Sequence, residues 1–148
     1  MTAPPRLIFL LNSAQRRLQQ WMAAQQERAA RDERRVPSPA QSGVLFVLAR
    51  EDGVTMGRLA QALDLAPSAI SGLVQRMESL SWVERRPCDN DARTQRVWLC
   101  AQGSEQLPLL RKALARINHR LAGDFSAGEL RIVARWLEHV QALGDSDD

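Results

Sequence analysis

The residues with the most chemical potential in this 148-residue chain are short polar groups and arginines. Their chemistry is recognition, not catalysis. Ser68, Ser71, Gln75 and Arg76, with Ala69 and Gly72 among them, fall on one side of a predicted helix whose other side is apolar. Hydroxyls, an amide and a guanidinium are the groups that meet phosphate oxygens and base edges. Further on, Asp91-Ala92-Arg93 lies in the polar, turn-rich stretch PCDNDART. A carboxylate at that spacing is expected to hold the Arg93 guanidinium by a charge-assisted hydrogen bond. An arginine at a hairpin tip suits the strongly negative potential of a narrow A·T-rich minor groove. Arg85 and Arg86 fit phosphate contact and simple solvation equally well.

Signals for other chemistry are missing. The sequence has no nucleophile elbow, no metal-ligand spacing, no phosphate loop and no paired carboxylates on one predicted face, so no enzyme activity, metal or cofactor is expected. His119 and His139 read as solvated helix residues. Cys88 and Cys100 are too few for a disulfide framework and lack metal spacing. Arg85 and Arg86 near Cys88 would favour its thiolate. No apolar stretch approaches the ~20 residues of a membrane span, and no signal peptide is evident, which predicts a soluble, cytoplasmic protein without membrane contact.

Charge is a poor guide here. The formal net charge is +3, yet residues 50–100 hold seven Arg against seven acids, whereas residues 1–49 hold seven against three. Nineteen of the twenty basic residues are Arg, which suits bidentate contacts but also follows from codon bias in a GC-rich genome. Any case for nucleic acid must therefore rest on where the cations sit.

The elements that must position these groups are legible from periodicity. Leu7, Leu11, Ala14, Leu18 and Trp21 or Met22 form one stripe of a long first helix, uninterrupted by Pro or Gly from Arg6 to Val36. Its charged end, ERAARDERR, is expected to fray. Ser38 caps a second helix with Pro39 at its first position and a dense apolar run from Val44 to Ala49; Asp52-Gly53 ends it. Thr55 caps a third helix carrying Met56, Leu59, Ala60 and Leu63 inward. After the turn Asp64-Leu65-Ala66, Pro67 opens a fourth helix with Ile70, Leu73, Val74 and Met77 as its core stripe. Trp82–Arg86 and Gln95–Cys100 read as strands of a hairpin. Leu107, Leu110, Leu114, Ile117 and Leu121 then follow the rhythm of a helix lying along another, with Pro108 expected to kink it or delay its regular part. Ser126 and Glu129 form a capping box, stapled by Phe125 and Leu130, for a last helix carrying Val133, Leu137 and Val140 and ending at Gly144.

In order and length, these elements resemble the MarR family of bacterial winged helix-turn-helix regulators. The wing carries the resemblance: Asp91-Ala92-Arg93, then Val97-Trp98-Leu99-Cys100, then Gly103, with LAQALDL upstream. It implies a mostly α fold with a small β-wing. Residues 37–103 would be the DNA-binding domain, and residues 1–36 and 104–148 intertwined dimerisation helices. It also implies a homodimer on a pseudo-palindromic operator of double-stranded DNA, usually a repressor released by a small ligand, here an aromatic or phenolic one, or by thiol oxidation. Ser68, Ala69, Ser71, Gly72, Gln75, Arg76, Arg85, Arg86, Asp91 and Arg93 would face DNA. Leu7, Leu11, Leu110, Leu114, Ile117, Leu121, Leu130, Val133 and Leu137 would face the second copy. Trp21 and Phe46 would line an effector pocket or simply belong to the core. The family's peroxide sensors carry their reactive cysteine near the first helix, where this chain has none, so Cys88 and Cys100 read as structural or incidental. Two departures stand out. Gly72 replaces an arginine common in the family's recognition helix, which thins base readout. Cys100 replaces a capping Thr, so the next helix is expected to fray at its start. A winged helix that has lost DNA reading and only docks a protein partner is the alternative.

Overall fold

Two left-handed turns, neither using glycine, set the directions of the central helices. A computed structural model describes residues 5–31 and 36–143. In chain order these form α1 (Leu7–Arg31), α2 (Pro39–Arg50), β1 (Val54–Thr55), α3 (Met56–Leu63), α4 (Pro67–Ser79), β2 (Val83–Cys88), β3 (Asp91–Leu99), α5 (Ala101–Ala122) and α6 (Ala127–Ala142). All six expected helices are present, and β1 is an addition. The end of the charged stretch after Arg31 and the stop at Gly144 lie outside the described residues.

Asp64 ends α3 at φ 52°, and the Leu65 and Asp64 amides donate back to the carbonyls of Ala60 and Gln61. Ser81 follows α4 at φ 59°, with its own amide donating to Glu78 and that of Trp82 to Met77. Both are Schellman-type ends, in which a left-handed residue lets two further amides satisfy helix carbonyls. The first bend separates α3 from α4. The second turns the chain into β2 and drops Trp82, 4% exposed, into the core beside the helix it has left.

The helix starts follow the expected chemistry. Ser38 and Gln41 form a capping box on α2, and the Thr55 hydroxyl accepts from the Arg58 amide to cap α3. α4 begins at Pro67 without a side-chain cap, which costs little because proline brings no amide that needs one. Val44, Leu45 and Leu48 of α2, Leu59 of α3, and Ile70, Leu73, Val74 and Met77 of α4 are buried together with Val54, Val83 and Val97 of the sheet. Each large aliphatic among them contributes about 1.5–3 kcal/mol on burial.

The sheet runs β1-β3-β2 with both pairings antiparallel. The hairpin is longer than its composition suggests. Pro87 and Cys88 belong to β2 and Asp91–Thr94 to β3, leaving Asp89-Asn90 as the turn. The register is broken there: Pro87 faces Gln95 whereas Cys88 faces Asp91. Ala92, Arg93 and Thr94 are thus extra residues on β3, pushed out of the ladder near the tip. Trp82, expected in the strand, lies one residue before it.

Two compact units divide the chain, Met1–Ser104 and Glu105–Asp148. α5 is regular from Ala101 and continues through Pro108, so neither the delayed start nor the frayed one expected there occurs. The anchor is backbone, not a cap. The Cys100 amide donates to the Trp82 carbonyl at 2.9 Å, and Gly103 lies so close that a Cβ would fall 2.1 Å from the same oxygen. α6 has its capping box, with the Glu129 carboxylate accepting from the Ser126 amide and hydroxyl. Those bonds hold the Glu129 carboxyl below its ordinary pKa, the backbone bond first. The expected staple is open, since Phe125 is 63% exposed.

Candidate nucleic-acid interface

α4 separates its two faces cleanly. Its apolar stripe is fully committed to the core, while Ser68, Ala69, Ser71, Gln75 and Arg76 are exposed and Gly72 is half-buried. Along this outer face the Arg76 guanidinium folds back over Gly72, so that a Cβ at Gly72 would lie 3.4 Å from Arg76 Nη1. Gly72 and Arg76 are one turn apart, and the space without a side chain is shared with a cation. The outer face is therefore less depleted than the bare loss of an arginine implies. Ser79 folds onto its own helix, donating to the Gln75 carbonyl.

Asp91 acts differently from expectation. Its carboxylate accepts from the Arg93 amide at 3.0 Å and from the Thr94 hydroxyl at 3.2 Å, so it fixes the backbone beneath Arg93 instead of gripping the guanidinium. The physical reason is reach. A carboxylate two residues ahead in a turn meets the amide before it can meet the end of a long side chain. Arg93 is exposed, in the segment displaced from the ladder. Among the described residues no ion pair engages its guanidinium.

Arg85 and Arg86 are occupied within the chain. Arg85 Nε lies 2.6 Å from Glu78 Oε1. That oxygen is buried and accepts no well-aligned hydrogen bond, so the pairing is a close charge contact with poor direction. Arg86 pairs with Glu84, and its guanidinium lies over the Trp98 ring at 5.4 Å. Neither is a bare cation.

The sequence reading missed Arg96 and Asp52. Arg96 Nη1 donates to the Gly53 carbonyl at 2.8 Å, and its Nε to Cys88 Sγ at 3.2 Å. Asp52 Oδ1 accepts the Leu99 amide at 2.8 Å and the Gly53 amide at 3.1 Å. The bonds from Arg96 to Gly53 and from Leu99 to Asp52 join residues more than forty apart and leave no local trace in a sequence; the available signal was an arginine at an outward position of a strand.

Away from this surface, Trp21 on α1 and Phe46 on α2 are each half-buried. Cys88 and Cys100 are free thiols, and burial raises the Cys100 pKa. Among the described residues no cluster of His, Cys, Asp and Glu could hold a metal, and no helix is long and apolar enough to cross a membrane. Of the positions expected to face a second copy, Leu110 is buried within the chain. Leu7, Leu114, Leu121, Val133 and Leu137 are exposed, and Leu11, Ile117 and Leu130 are half-buried.

Comparison with known proteins agrees with this geometry. The sequence model of the MarR family matches residues 37–94, from the start of α2 into the wing. Curated proteins give no match. Among solved structures, the PcaV transcriptional regulator from Streptomyces coelicolor, in complex with its natural ligand, has a TM-score of 0.78 at 21% identity, covering 97% of this chain and 99% of that one. The transcriptional regulator SlyA reaches 0.79 at 12% identity, covering 97% and 96%. A MarR transcriptional regulator from Methanosarcina mazei is 25% identical, covering 71% and 76%, with a TM-score of 0.64. Over residues 37–94 the chain is similar to the MarR family, and it has the fold of that family's solved transcriptional regulators.

Proposed function

We propose that this protein is a homodimeric, sequence-specific DNA-binding regulator, acting as a repressor that a small ligand releases. The observation that carries the DNA reading is Arg93: an exposed residue with no ion pair among the described residues, on a backbone that Asp91 fixes, at the end of a hairpin leading from α4. α4 would lie in the major groove with Ser68, Ser71, Gln75 and Arg76 toward phosphates and bases, while Arg93 enters the adjoining minor groove. Arg85 and Arg86, held by Glu78 and Glu84, steady the root of the wing and reach DNA only if they give up those partners.

The homodimer rests on the exposed leucines and valines of α1, α5 and α6, whose burial in a second copy would remove apolar surface from water. Ligand release rests on likeness alone: PcaV is described with its natural ligand, and another similar fold is a haem sensor, PefR from Streptococcus agalactiae. The effector proposed here is small and aromatic or phenolic, with Trp21 and Phe46 as the side chains to test.

The deciding experiment is a salt titration on a duplex selected from a random pool by the protein itself. Phosphate-driven binding must weaken steeply, with log K falling linearly in log salt. Failure to enrich any duplex from the pool even at low salt would instead favour a winged helix that docks a protein partner.

A further inference from the structure

The turn between α2 and β1 is bolted to the wing by four separate contacts. The Asp52 carboxylate accepts the Leu99 amide at the end of β3. The Gly53 carbonyl accepts Arg96 Nη1. Gly53 itself, at φ 72°, lies under the Trp98 indole, where a Cβ would fall 2.6 Å from the ring. β1, immediately following, pairs Val54 with Val97 and Thr55 with Arg96. On the opposite side of β3, Arg86 lies over the same indole.

Arg96 is the part of this clamp that reaches toward the tip. One nitrogen holds the turn and another holds Cys88, the last residue of β2 before the turn Asp89-Asn90. The register breaks at that point, so backbone pairing alone does not fix the direction in which Ala92–Thr94 leave the sheet. We propose that Arg96 is the positioning residue of the wing: by tying Cys88 to Gly53 it sets the direction in which Arg93 is presented. Its guanidinium is already committed to two partners of this chain, which argues against a direct role in binding DNA. The proposal rests on the reading of the wing as a DNA-contacting element.

The test uses the full-length protein, the variants Arg96→Ala and Arg93→Ala, and the double variant. Two quantities are measured: amide exchange without DNA, and affinity for the duplex selected by the unmodified protein. Arg96→Ala should speed exchange at Asp91–Thr94 and leave α4 unchanged. It should also weaken DNA binding about 3- to 10-fold, the size of a coupling between neighbouring groups. In the Arg93→Ala background the same substitution should have almost no effect, because the group being positioned is gone. Unchanged exchange at the tip overturns the clamp. Faster exchange with losses that add fully in the double variant overturns positioning and makes Arg96 a direct contact. If Arg93→Ala binds like the unmodified protein, the DNA reading of the wing fails, and the role of Arg96 toward Arg93 fails with it; exchange then still reports whether the clamp exists.

Discussion

The winged segment and the flanking helices use the same apolar alphabet to opposite ends. In α2, α3, α4 and the sheet most large aliphatics of the core stripes are buried, with Met56 and Leu63 of α3 half-buried, and the outer face of α4 is largely polar. In α1 and α6 the pattern is inverted. Leu7, Ile8, Phe9 and Leu10 of α1 and Ile132, Val133 and Leu137 of α6 are all exposed, and α6 has no buried residue at all. The first region is complete as one chain. In each flanking helix, apolar side chains are exposed among the described residues, and association that buries such surface lowers the free energy. Stability and assembly should therefore respond to different substitutions.

The largest effect that would sharpen this contrast is at Leu114. Its side chain is already 39% exposed, so Leu114→Asp should leave helical content unchanged while weakening self-association by about 100-fold, roughly 3 kcal/mol at a central interface position. Sedimentation across a concentration series reads it, and an unaltered dimer would place the interface elsewhere. Gly103→Ala should do the reverse. A Cβ 2.1 Å from the Trp82 carbonyl forces the backbone apart, at a cost of about 3 kcal/mol. Thermal unfolding should fall accordingly without a change in the oligomer formed by the remaining folded protein.

Function should separate from both. Arg93→Ala is expected to weaken binding to the selected duplex about 10-fold, within the range of one good DNA contact, with dimer and melting temperature intact. Equal binding at physiological salt would remove the wing from the interface. A smaller gain is available at Ser81, which holds a left-handed conformation that glycine adopts without strain. Ser81→Gly should raise stability by about 1 kcal/mol, seen as a shifted denaturation midpoint at constant slope.

The smallest effect belongs to α6. Because the folded Glu129 carboxyl is held below its unfolded value, its contribution is fully present above that unfolded value, about 4.3, and is lost as pH falls through the folded one. The stability difference between the unmodified protein and Glu129→Gln should therefore be present at neutral pH and shrink in acid. A difference that grows in acid would contradict the capping geometry.

Legibility in the sequence followed the range of the interactions. Ser38, Thr55 and Ser126 act within three residues of themselves, and each caps the helix it was expected to cap. The core stripe of α4 was likewise readable, because a helical period fixes which side chains share a face. Asp91 was identified as a wing residue, but its hydrogen-bond partner was mistaken, since competition between an amide and a guanidinium is decided by the local turn. Cys100 is the instructive case. Judged as a cap it predicts fraying, yet α5 starts firmly on a backbone bond to Trp82.

By itself, then, the sequence determined the order of the helices, the polar outward face of α4, the existence of a wing and the family resemblance. These follow from periodicities and caps, which act over a few residues. The tertiary structure alone decided that Arg85 of β2 meets Glu78 of α4 and that Asp52, Gly53 and Arg96 fasten the wing. The physical reason is that a guanidinium takes whichever acceptor the fold brings within about 3 Å, and that depends on how strands and turns distant in sequence are brought together.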